Sequence, residues 1–198
     1  MKNFRGDDTK EKYAELYIEY LTKVLKNISL KEISNFIDAI IEANNRGSSI
    51  YFIGNGGSAA TASHFANDIL IGVRSSVKPF KAVSLCDNSA VVTAIANDYG
   101  YEHIFSKQLS ILLKKNDVVV AISASGNSQN LVKAIEVAIQ KEAITVGLTA
   151  FDGGKLKQMV DLTVHVPTKK GEYGPAEDAH MVLDHLVSNY LMRLLKTN

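Results

Sequence analysis

The chain predicts an α/β protein, a three-layer sandwich in which helices cover both faces of a five-stranded parallel sheet. Three observations lead there. Roughly the first 46 residues carry only helical periodicity, so two helices come before any strand. After Gly47, short β-rich runs alternate with helical segments, the rhythm of parallel strands joined by crossover helices. Two of those runs end in loops of glycine and serine that open straight into helices.

Taken in order, Tyr13, Leu16, Tyr17, Tyr20, Leu21, Val24, Leu25 and Ile28 place one apolar stripe on a first helix. The stripe is wide enough to serve either its own domain or another subunit. Ser29 and Glu32 form an S-x-x-E capping box for a second helix through Ile33, Phe36, Ile37, Ile40 and Ile41, and Gly47 is placed to end it. Strands are expected at 50–53, 80–85, 118–123, 144–148 and 162–166. Helices are expected from the glycine loop to about Leu70, over 90–96 and 104–113, up to about Lys141, and over 175–195, where Pro175 is acceptable in a first turn. The 198 residues suit one domain, 1–198, with a helical extension over about 10–46.

Bulk chemistry excludes several classes. Lys plus Arg is 22 and Asp plus Glu is 21, which gives no general attraction to nucleic acid or to an anionic membrane. No apolar run approaches the ~18 residues of a membrane span, and the polar start lacks a signal-peptide core, so a cytoplasmic location is expected. The single cysteine, Cys86, has no internal disulfide partner and reads as a small buried residue.

Gly54-Asn55-Gly56-Gly57-Ser58 lets the backbone approach an anion at a helix N-terminus. With Ala59 it also fits the loose dinucleotide pattern G-x-G-x-x-A, but no acidic residue follows ~20 residues on, and Asp87 lies later. The second loop, Ser123-Ala124-Ser125-Gly126-Asn127-Ser128, offers hydroxyls and amides that suit a phosphate dianion without lysine or arginine. Taken alone it is also a serine-rich helix cap. Among titratable residues, His64 and Asp68 share a helix face at i, i+4, while Glu177, His180, Asp184 and His185 spread over roughly 140° of the last helix. Glu177 and His185 can converge, and two imidazoles with two carboxylates make a plausible zinc set.

Gly54 to Ala60, His64-Phe65-Ala66, Ala96-Asn97-Asp98-Tyr99-Gly100, the 123–128 loop and Asp152-Gly153-Gly154, in that order, resemble the sugar isomerase (SIS) domain of bacterial phosphoheptose isomerases. The resemblance covers about residues 13–195 and implies a flavodoxin-like sheet. It implies isomerisation of sedoheptulose 7-phosphate, a phosphorylated seven-carbon sugar, through an enediol, with Asp68 and His185 as acid–base pair. It further implies one zinc ion per subunit on His64, Asp68, Glu177 and His185, and a homotetramer with shared active sites. Asn55, Gly56, Gly57, Ser58, Asn97, Asp98, Ser123, Ala124, Ser125, Asn127, Ser128 and Glu177 are the implied sugar-phosphate contacts. Asp68 departs from the family's glutamate, Glu177 from its more common glutamine and Ala124 from a frequent threonine. His180 matches no implied role. A non-catalytic SIS protein that only binds a phosphosugar is the competing expectation; it would keep the loops and lose the titratable set.

Overall fold

The computed structural model describes residues 9–75 and 78–196; the polar segment at the start, residues 1–8, lies outside them. Helix α1 (Lys10–Lys26) starts at Thr9, whose Oγ accepts from the Lys12 N–H at 3.2 Å. Helix α2 (Leu30–Arg46) starts at Ser29, whose Oγ accepts from the Glu32 N–H at 3.3 Å, and ends at Gly47 in the left-handed region at φ 72°. Only half of the expected capping box forms. Glu32 Oε2 instead accepts from the backbone N–H of His165 at 2.8 Å. That bond satisfies a donor on the strand that closes one edge of the sheet, where no further strand can take it.

The strands are β1 (Ser49–Gly54), β2 (Lys81–Ser84), β3 (Val118–Ser123), β4 (Ile144–Ala150) and β5 (Leu162–Val166). They form one parallel sheet in the order β2-β1-β3-β4-β5. Central β3 is buried throughout, as its unbroken apolar run requires. The other helices are α3 (Gly57–Asn67), α4 (Ser89–Tyr99), α5 (Ser106–Leu112), α6 (Gln129–Gln140), α7 (Gly154–Met159) and α8 (Tyr173–Lys196). The six residues of α7 were not expected, because so short a helix shows no periodicity.

Alternate strand residues feed two cores. Ile50, Phe52, Val118, Val120 and Ile122 meet α2, α3 and α8 on one face. Tyr51, Ile53, Val119 and Ala121 meet α5, α6 and Leu156 of α7 on the other. Fully buried Phe65 fixes α3: it stacks on Phe52 with ring centroids 4.8 Å apart and meets Phe36 edge-on at 5.8 Å. With Phe65 turned inward, its neighbour His64, about 100° round the helix, is exposed at the edge that faces α8. Helix α1 buries only Val24 fully. It is tied to α8 by Tyr17, whose hydroxyl donates to Asp178 at 2.5 Å, and to the turn before α8 by Tyr20, which donates to Glu172.

Candidate active site

Strands β1 and β3 are neighbours, with Gly54 paired to Ile122, yet the helices that follow them lie on opposite faces of the sheet. The two chains therefore diverge above their carboxyl ends and leave a crevice, the place where open α/β sheets bind ligands. A cleft of about 160 Å³ fills it, lined by Asn55, Ser58, Ser123, Ala124, Ser125 and Ser128, together with Glu177 and Tyr173 from α8. The helix ends of α3 and α6 meet here, so free amides and two positive dipole ends face the same space.

The second loop is held in shape by the chain itself. Ser123 Oγ accepts from the Gly126 N–H at 3.0 Å. Gly126 sits at φ 64°, and a Cβ there would collide with the Gly153 carbonyl. Asn127 is spent on the same junction: its amide donates to the Ser125 carbonyl at 2.9 Å and its Oδ1 accepts from the Lys155 N–H at 3.1 Å. The Asp152-Gly153-Gly154 motif thus lies against the 123–128 loop as its support. Asn55 is also engaged. Its Oδ1 accepts from Tyr101 at 2.9 Å and from Asn130 at 2.8 Å, and its own amide donates to Asn130 at 2.9 Å, which leaves one N–H for a ligand. Asn97 and Asp98 lie on exposed α4, where Asn97 donates to Asp98 at 2.8 Å, and neither lines the cleft.

Helices α3 and α8 run side by side in the same direction. Gly57 lies against the Glu177 carboxylate, His64 meets His185, and Asp68 meets Ser188. At the second of these levels His64, Asp68, Asp184 and His185 bring one donor atom each within 4.8 Å of one another. The two Nε2 atoms face each other at 3.1 Å, and His64 Nε2 lies 3.7 Å from Asp68 Oδ2 and 3.8 Å from Asp184 Oδ2. Two nitrogens on one tetrahedral zinc stand about 3.3 Å apart, so the imidazole pair already has the spacing such an ion needs. Asp68 opens a single π-helical turn, Asp68–Gly72, an irregularity that often accompanies function. Its carboxylate accepts from Asn67 at 3.2 Å and from Ser188 at 3.5 Å.

The structure does not bring all four expected ligands together. Glu177 is not in this cluster, because it sits two turns of α8, about 12 Å of helix rise, before His185. Its carboxylate lines the cleft, and the fourth member of the cluster is Asp184. Asp184 is fully buried, and neither of its oxygens has a hydrogen-bond partner. Burial, and then the charge of Asp68, push its carboxyl up to about 8. His180 faces the core instead. It too is fully buried with both ring nitrogens unpartnered, and burial lowers its pKa to about 4. Sequence reasoning missed Tyr101, Asn130, Tyr173 and the place of Asp184 beside the two histidines. Tyr101 and Asn130 lie 46 and 75 residues from Asn55, so no local pattern links them.

The family model of the SIS domain matches residues 12–150. Among curated relatives, the phosphoheptose isomerase of Aneurinibacillus thermoaerophilus is 36% identical over 176 residues, which is 89% of this chain and 84% of that one. That of Geobacter metallireducens is 39% identical over 155 residues, 78% of this chain and 81% of the relative. Among solved structures, the phosphoheptose isomerase of Neisseria gonorrhoeae superposes with a TM-score of 0.84 at 30% identity, covering 92% of this chain and 98% of the other. That of Francisella tularensis superposes at 0.87 with 26% identity, over 94% and 100%. By its match to the family model, its identity to these relatives and its superposition on these structures, the chain belongs to the SIS-domain family and, within it, to the phosphoheptose isomerases.

Proposed function

We propose that the protein interconverts the ketose and aldose forms of a sugar phosphate, taking sedoheptulose 7-phosphate to D-glycero-D-manno-heptose 7-phosphate. One observation carries this reading. The parallel packing of α3 on α8 puts a lysine-free and arginine-free anion cleft and a His/Asp cluster on one line, two helical turns apart. The phosphate binds the amides at the starts of α3 and α6 and the hydroxyls of Ser58, Ser123, Ser125 and Ser128, with Gly56 and Gly57 admitting it close to the backbone. Glu177 and the remaining Asn55 N–H meet sugar hydroxyls. An extended seven-carbon chain then reaches down the helix pair to the cluster.

Ketose–aldose exchange moves one proton between carbons 1 and 2 through an enediol. Asp68, oriented by Asn67 and Ser188, takes that proton, and His185 hands one back. An imidazole suits the second task because its ordinary pKa lies near neutrality. His64, Asp68, His185 and a further carboxylate fit a divalent ion, zinc by donor type, which supplies Lewis-acid polarisation of the substrate oxygens. Asp68 is one methylene shorter than the family's glutamate, and a misplacement near 1 Å can cost about 100-fold in rate.

The apolar helix α4, which buries no residue, and the half-covered stripe of α1 support a homotetramer with shared active sites. No described helix is long and apolar enough to cross a membrane, and we place the enzyme in the cytoplasm, where phosphorylated sugars are made. A coupled isomerase assay over a panel of phosphosugars tests the reading. Turnover of a seven-carbon ketose phosphate is expected. Tight binding of phosphosugars with no turnover of any would replace the enzyme by a sensor.

A further inference from the structure

We infer that Asp184, rather than Glu177, is the carboxylate that completes the metal site, and that Glu177 is thereby freed to serve the sugar phosphate. The inference rests on the isomerase reading for its ion, and on this chain's own geometry for its ligands.

Asp184 has no exposed surface and no hydrogen-bond partner at either oxygen. A carboxylate is seldom buried in that state, because losing water without a replacement costs several kcal/mol or forces the group to take up a proton. A cation held between the two helices removes the anomaly. Asp184 Oδ2 lies 3.8 Å from His64 Nε2, almost as Asp68 Oδ2 does at 3.7 Å from the opposite helix. Two neutral imidazoles and two carboxylates also balance a dipositive ion, so no charge is left over in the protein interior. If Glu177 were the ligand in place of Asp184, the buried aspartate would keep both oxygens unsatisfied beside a metal it did not touch. Glu177 has another place: its carboxylate packs against Gly57 and lines the cleft with Ser58, Ser123, Ser125 and Ser128. From there it can accept hydrogen bonds from sugar hydroxyls or carry a proton, which a metal ligand could not do freely. The site thus divides its carboxylates by depth, with Asp184 on the core side of the ion, Asp68 on the solvent side, and Glu177 two turns away over the substrate.

The test is metal affinity, read without turnover. Metal-stripped protein is titrated with Zn2+ against a competing chelator, and separately with Co2+, whose visible absorption reports its donor set. Asp184→Asn should weaken Zn2+ binding by at least about 100-fold and alter the Co2+ bands, because losing even an outer partner of a ligand commonly costs 10- to 100-fold. Asp184→Leu should abolish the site. Glu177→Ala, which removes the donor altogether, should leave affinity and Co2+ spectrum unchanged while raising KM for the sugar phosphate. The metal-free Asp184→Asn protein should melt no lower than metal-free wild type, which separates lost ligation from lost folding. Unchanged Zn2+ binding in Asp184→Asn, loss of binding in Glu177→Ala, or no binding by wild type would each overturn the inference. Zn2+ binding that depends on Asp184 in a protein inert toward every phosphosugar would instead sink the isomerase reading and leave this one standing.

Discussion

His180→Leu separates the two histidines of α8 by physics as well as by activity. The His180 imidazole is fully buried beside Thr149 and His165, and neither ring nitrogen has a hydrogen bond of ordinary geometry. Burial dominates its shift, His165 adds to it, and the Thr149 backbone opposes it, leaving a folded pKa of about 4 against an ordinary 6.5. Between those values the unfolded chain takes up a proton that the folded chain refuses. The unfolded state therefore binds more protons there, and stability falls as pH falls from about 6.5 to about 4; above 6.5 the contribution is fully present. Two and a half pH units at 1.36 kcal/mol each amount to about 3 kcal/mol. Leucine at this position removes the titration and two orphaned nitrogens together, a change that is near neutral when the shape is kept. Urea unfolding of metal-free wild type and variant from pH 8 to pH 4 should give equal stability at pH 8 and a gap opening to about 3 kcal/mol in favour of the variant near pH 4. Asp184 slopes the other way: its raised folded pKa favours the protonated native state, so its share is lost as pH rises from about 4 toward about 8. It is common to both proteins and cancels in the difference. Parallel curves, or loss of isomerase activity in His180→Leu, would refute the assignment of His180 to the core.

Other expected outcomes follow from the same geometry. His185→Ala should abolish turnover while leaving phosphosugar binding, measured calorimetrically, largely intact; if it turns over normally, the acid–base assignment is wrong. Asp68→Asn should remove activity, whereas Asp68→Glu, which restores the family's glutamate, should retain or raise it, and inactivity of the glutamate variant would show that the π turn has rebuilt the site around the shorter side chain. Gly126→Ala forces a left-handed residue, at about 1–2 kcal/mol, and a Cβ into the Gly153 carbonyl, so phosphate affinity and melting temperature should both fall; unchanged phosphate binding would remove that loop from the site. Phe65→Ala deletes the ring stacked between Phe52 and Phe36 and should cost about 3–5 kcal/mol in urea unfolding, where a loss under 1 kcal/mol would mean that α3 is anchored elsewhere.

Local chemistry determined much of this protein. The change from a 3.6-residue to a 2-residue rhythm after Gly47 is written in adjacent side chains, so the two leading helices, the five strands and the parallel sheet were legible. So were the two loops that line the cleft, because a glycine or serine turn between a strand and a helix needs no distant partner to be recognised. Long-range register was not legible. Glu177 and Asp184 stand on one helix, and periodicity alone left Glu177 a convergent partner for His185. Only the parallel alignment of α8 on α3, with Gly57 opposite Glu177 and His64 opposite His185, sends one carboxylate to the cleft and the other to the histidines. Glu32 was drawn from its capping box to the edge of β5 for the same kind of reason, since a strand 133 residues away offered its side chain a free backbone donor. A sequence states which way each side chain points on its own element, and only the packing of one element against another decides what it meets.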